Sequence, residues 1–152
     1  MPDAILKPRP GRDARQRRRR GAALIEAVFC TAVLFYLVMG GVEFGWFMYA
    51  KHVVQSAARD GARAAIISGS TQSAATSAIS YTMTNAAMQN SGYTYSFVNA
   101  SNNATITDVS AVARGTGIKV TVSVNFGSFN VRPLGVIPAN KAIVGITTLV
   151  KE

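Results

Sequence analysis

From Ala22 to Ala50 the chain offers 29 positions with no proline and only two charges, Glu26 and Glu43. That run predicts a helix hydrophobic all round, about 43 Å long against roughly 30 Å of bilayer hydrocarbon. Trp46 and Tyr49, with Lys51 just beyond, supply the aromatic belt and polar edge of a membrane span. Helical spacing persists through "AKHVVQSAARDGARAAIISG", Ala50 to Gly69, where Ala57, Gly61 and Ala65 fall on one row. Gly69, Ser70 and Thr71 predict a break. Thr71 to Gly92 then predicts a second helix, with Ala75, Ile79, Met83, Ala86 and Ala87 on one side and Gly92 as its stop. After Gly92 the period changes to two. Tyr93–Ala100, Ala104–Ala113, Gly117–Phe126 and Lys141–Val150, rich in Val, Ile, Thr and aromatics, predict strands. Asn102-Asn103 and Gly115-Thr116-Gly117 are turn signals, and Pro133 to Pro138 predicts a longer loop. The fold class expected is α+β: a long N-terminal transmembrane helix extending outside the membrane, a shorter helix, then a small antiparallel sheet. Four segments follow: a basic stretch over 1–21, a transmembrane helix over 22–50, an extracytoplasmic helical region over 51–91, and a sheet domain over 92–152.

Charge sharpens this picture. The net charge is +9, and residues 1–20 hold +6 of it, eight basic side chains against Asp3 and Asp13. With Pro2, Pro8, Pro10 and Gly11 and no periodic apolar face, those twenty residues read as disordered. Such basicity raises nucleic acid as a partner. Yet it is a tail with no aromatic residue for base stacking, so nucleic acid is set aside. Beside an apolar span it places the N-terminus in the cytoplasm and the C-terminal domain outside. A cleaved secretory signal competes, but the run outlasts the about 7–15 residues of such a core and no A-x-A site follows it. Cys30, the single cysteine, permits no internal disulfide, and the single histidine, His52, lies 22 residues from it. No Ser/His/Asp set, carboxylate dyad, phosphate loop or metal-ligand cluster stands out, so the chain reads as non-enzymatic and without a cofactor. Asn99 and Asn103 begin N-x-[ST] triplets, which arise by chance in such loops and carry no weight.

Glu26 demands a reason, because a carboxylate at the centre of a membrane helix costs about 2.5–3.5 kcal/mol on insertion scales. The stretch "RRRRGAALIE", Arg17 to Glu26, resembles the type IV prepilin signal, in which an inner-membrane peptidase cuts after the glycine. The resemblance implies processing between Gly21 and Ala22, with Glu26 as the fifth mature residue, facing the N-terminal amine of a neighbouring subunit. The alternative is a basic-flanked anchor helix with one tolerated acid near its cytoplasmic end.

A second stretch, "GGVEFGWFMYAKHVVQSAARDGARAAI", Gly40 to Ile67, resembles the TadE-like family of the tight-adherence pilus system. Its members show E-F-G at the end of the membrane helix, here Glu43, Phe44 and Gly45. An A-A-R-[ED]-G-A-R stretch follows, here Ala57, Ala58, Arg59, Asp60, Gly61, Ala62 and Arg63. "VGITTLVKE" is similar to the family's closing strand, whereas "WFMYAKH" lacks the arginine many members place after E-F-G. The resemblance implies a pilin-like minor pilin or pseudopilin of the bacterial inner membrane, matured by a prepilin peptidase. Its partners would be other pilin subunits and the assembly machinery of an Flp-type pilus. Processing would fall to Gly21, Ala22 and Glu26, and assembly contacts to Glu26, Glu43, Phe44, Gly45, Arg59, Asp60, Gly61 and Arg63. Arg59 and Arg63, four apart, share a helix face suited to an acidic partner or lipid headgroups. Read without the family, that face is a solvated one with an Asp60–Arg63 ion pair. An uncleaved bitopic adhesion or scaffold protein is the rival reading of the whole chain.

Overall fold

The computed structural model describes residues 12–129 and 131–152, with side chains from Gly21 onward. The elements are α1 (Arg12–Ile66), α2 (Gln72–Asn85), β1 (Thr94–Asn99), β2 (Gly117–Asn125) and β3 (Ala142–Val150). Short 3-10 turns lie at Val109–Ala111 and Phe126–Phe129. The fold is α+β, a long apolar helix and a shorter one followed by a three-stranded antiparallel sheet in the order β1-β2-β3. The chain divides into two compact units, one ending at Met39 and one running from Gly40 to Glu152.

In the first unit the backbone is helical from Arg12, which corrects the expectation of disorder for that part of the basic stretch. Residues 12–20 are Arg, Ala and Gln with one early Asp, good helix formers that follow Pro10 and Gly11. Continuing an existing helix adds one hydrogen bond per residue fixed and needs no new nucleus. The remainder of that expectation, residues 1–11 with Lys7 and Arg9, lies outside the described residues. From Gly21 to Val38 every side chain is exposed within the chain, including Leu24, Phe29, Leu34 and Leu37. By length and composition the helix from Gly21 suffices to cross a membrane.

The second unit is built on the small residues of α1. Ala50, Ala57, Ala58, Ala62 and Ala65 are fully buried. α2 comes so close that a methyl group at Gly61 would meet Ile79 Cγ1 at 2.5 Å. β3 crosses α1 at Gly145, where a methyl group would meet the Val54 carbonyl oxygen at 2.5 Å. Glycine is therefore required at both crossings. The sheet turns Phe97, Ile118, Val120, Val122, Val124 and Ile143 inward, in the register Phe97–Val120–Thr147. Where β3 passes α1, the Gln55 side-chain amide exchanges hydrogen bonds with the Ile146 backbone, donating at 3.0 Å and accepting at 3.3 Å. The C-terminus closes on the end of α1: Lys151 Nζ donates to the carbonyls of Ala65 and Ile67, and the Glu152 N–H to that of Ile66.

Two expected elements differ. Ala104–Ala113 is not a strand. After a single bridge between Val98 and Thr105, Asp108 accepts a hydrogen bond from the Ser110 N–H and caps a 3-10 turn that buries Val109. Apolar β-formers were present, but Asp108 offers the backbone a local partner in competition with a ladder. The second helix stops at Asn85, short of Gly92. Thr71 caps its start by accepting from the Ala74 N–H. At its end Ala87 donates to the Thr84 carbonyl and Met88 to that of Met83, the two bonds of a Schellman motif. Met88 folds back beside buried Met83, and that apolar closure outcompetes further helix.

Candidate functional site

Among the described residues Glu43 is the one carboxylate in the core, 1% exposed on a helix otherwise lined by small and aromatic side chains. One oxygen accepts the Ile137 N–H at 2.7 Å and the other the Leu134 N–H at 3.2 Å. The charge is thus met by two amides of the loop between Pro133 and Pro138, while Arg132 Nε donates to the Ile137 carbonyl and ties the loop to itself. A buried carboxylate without such partners would cost several kcal/mol, roughly, so the loop and the acid hold each other in place. Phe44 and Gly45, its neighbours in the E-F-G triplet, point away: Phe44 is 57% exposed and a methyl group on Gly45 would meet nothing within 4 Å.

The A-A-R-D-G-A-R stretch divides between two faces of α1. Ala57, Ala58, Gly61 and Ala62 face inward and carry the packing already described. Asp60 turns to α2, accepting a hydrogen bond from the Thr82 hydroxyl at 2.7 Å. Arg59 and Arg63 are exposed. Arg59 and Asp60 line an open groove of about 890 Å³ between the two helices, with His52, Tyr49, Tyr81 and Asn85 around it. Gly21, Ala22 and Glu26 are exposed on the helical first unit.

The structure therefore joins Glu43 to one loop and Asp60 and Gly61 to α2, and leaves Phe44, Gly45, Arg59 and Arg63 on the surface. What it assembles is a set of clamps and surfaces. Among the described residues no group of three His, Cys, Asp or Glu side chains gathers where it could hold a metal ion. Sequence reasoning passed over Leu134, Ile137, Gln55 and Lys151. The only local signal for the first two was the pair of prolines bounding their loop.

Residues 21–63 match the model of a family described as TadE-like protein. The match opens at the glycine ending the basic stretch and closes at Arg63, leaving α2 and the sheet outside it. No curated protein and no solved structure matches the chain.

Proposed function

We propose, from the TadE-like match over residues 21–63, that this chain is a minor pilin or pseudopilin that takes part in assembling a tight-adherence, Flp-type pilus. The family is one of pilus components rather than enzymes, and the long apolar helix is consistent with a single-pass anchor. The N-terminus stays in the cytoplasm and residues 40–152 lie outside. The observation that carries the reading is the position at which the match opens, Gly21, where basic residues give way to the apolar run. A prepilin peptidase cuts there, removing the arginines and freeing an α-amine on Ala22. Gly21 lies within helix, so the peptidase has to unwind it. Glycine is the cheapest place to do so, about 1 kcal/mol easier than alanine.

The membrane segment in this reading is Ala22–Met39, 18 residues rising about 27 Å, close to roughly 30 Å of hydrocarbon. The reading ends the span short of the 22–50 expected from sequence, because Gly40–Ala50 falls in the second compact unit, where Glu43 and Ala50 are buried. Phe44, Gly45, Arg59 and Arg63 are then left free for other pilin subunits and the assembly machinery. Intact-mass analysis of protein extracted from host membranes tests the proposal, the expected species beginning at Ala22. Protein beginning at Met1 or Pro2 would remove its main support. That outcome would favour the second reading, an uncleaved bitopic scaffold, for which the unbroken helix through Gly21 speaks.

A further inference from the structure

The segment Phe126–Lys141 joins β2 to β3 at the end of the outer unit where the chain enters it. There a methyl group at Gly40 would rest 3.7 Å from Leu134, Phe47 stacks edge-on against Phe126 at 5.4 Å, and Glu43 grips the amides of Leu134 and Ile137. Between the two gripped amides the chain turns through Gly135, at φ +64°, and throws Val136 outward. Val136 is 71% exposed, more than any other large aliphatic side chain described outside α1. The loop is held in shape before anything touches it, by Glu43, by the Arg132–Ile137 bond and by Pro133 and Pro138. One exposed valine is ordinary on a protein surface; what sets Val136 apart is that its loop is packed on Gly40, the first residue after the long exposed apolar run.

The occupant is indicated by what precedes Gly40 in the chain: 18 residues, Ala22–Met39, with Glu26 as their single charge and every side chain exposed through Val38. If that run lies in hydrocarbon, Gly40 is the first residue beyond it, and Leu134, packed on Gly40, is held next to the bilayer surface. The segment's charges agree, since Phe126–Lys141 contains Arg132 and Lys141 and no acid. We propose that the Arg132–Pro138 loop is a second, non-helical contact of this protein with the bilayer. Val136 enters the boundary between headgroups and acyl chains, and Arg132 and Lys141 lie at the level of the lipid phosphates. The inference rests on reading Ala22–Met39 as the membrane span. Glu43 then acquires a definite role, fixing the loop at the height where the span ends.

The test uses the full chain in vesicles of phosphatidylcholine and phosphatidylglycerol, with Cys30→Ser as background and one cysteine introduced at a time. Val136→Cys and Val144→Cys are alkylated with a membrane-impermeant maleimide. Within the chain alone position 136 is the more exposed, 71% against 41%, so without lipid it should react faster. In vesicles the order should invert, with position 136 roughly tenfold slower, as expected for drawing one valine-sized group out of an apolar layer. A fluorophore on the thiol of Val136→Cys should be quenched by lipids brominated high in their acyl chains, and one on the thiol of Val144→Cys should not. Retention of the solution order, with no quenching at 136, overturns the proposal. So does protection at 136 that grows with protein density without bromolipid quenching, since a second copy would then be the cover. A fluorophore at Phe35→Cys separates the two readings. Quenching there with none at 136 rejects the loop alone, and no quenching at either rejects the span as well.

Discussion

Ala87 sits at φ 57°, in the left-handed region where an L side chain costs about 1–2 kcal/mol, because the turn after α2 needs that backbone to bury Met88. Its methyl is exposed, so little offsets the cost. Ala87→Gly is expected to raise the stability of the second unit by about 1 kcal/mol, read as a higher denaturant midpoint at unchanged slope. Unchanged or lower stability would mean that glycine's extra freedom in the unfolded chain outweighs the relief. Gly61 and Gly145 are the opposite case. There the backbone is ordinary and the constraint is room, against Ile79 and the Val54 carbonyl. Glu43 belongs with them as a residue explained by its neighbours, since removing it would strand two loop amides that now share one charge.

Among the elements, α1 is finished by residues far away in sequence. The last carbonyls of a helix lack internal partners, and here a lysine ammonium and the Glu152 amide supply them. Lys151→Met should leave the sheet intact but fray the final turn, with amide exchange at Ala62–Ile66 roughly tenfold faster, as losing a charge-assisted bond implies. Unaltered exchange there would show that Glu152 and packing suffice. The helices and three of four strands could be read from the chain because periodicity is local: an apolar run without proline, then alternation in Gly117–Asn125. Ala104–Ala113 misled because its Val, Ile and Thr content matches a strand while Asp108 and a buried Val109 make it a turn. The candidate site was half legible. A glutamate in an apolar run is conspicuous, but its partner amides lie 91 and 94 residues further on, a distance no motif spans.

For the whole molecule, Glu26 remains the test of assembly. It is exposed within the chain, one turn beyond Ala22, and the proposed reading pairs it with a neighbour's new amine. Glu26→Ala should insert at least as well as wild type and be cut after Gly21, yet leave cells without pili. Glu26→Asp should retain part of the function. Counting surface pili beside intact mass decides it, and normal piliation in Glu26→Ala would reduce Glu26 to a tolerated acid. Gln55 shapes how the free flank of the sheet meets its surroundings. An outer strand with vacant amides invites a neighbour's strand to zip onto it, and β3, carrying exposed Val144, Ile146 and Val150, would be adhesive in that way. The Gln55 carboxamide occupies the middle of that flank as a surrogate strand residue, donating and accepting where another backbone would. Ladder growth is interrupted at its centre. Edge-to-edge fusion of two such sheets is thereby opposed at the one point where both groups of a β3 residue would otherwise stand open.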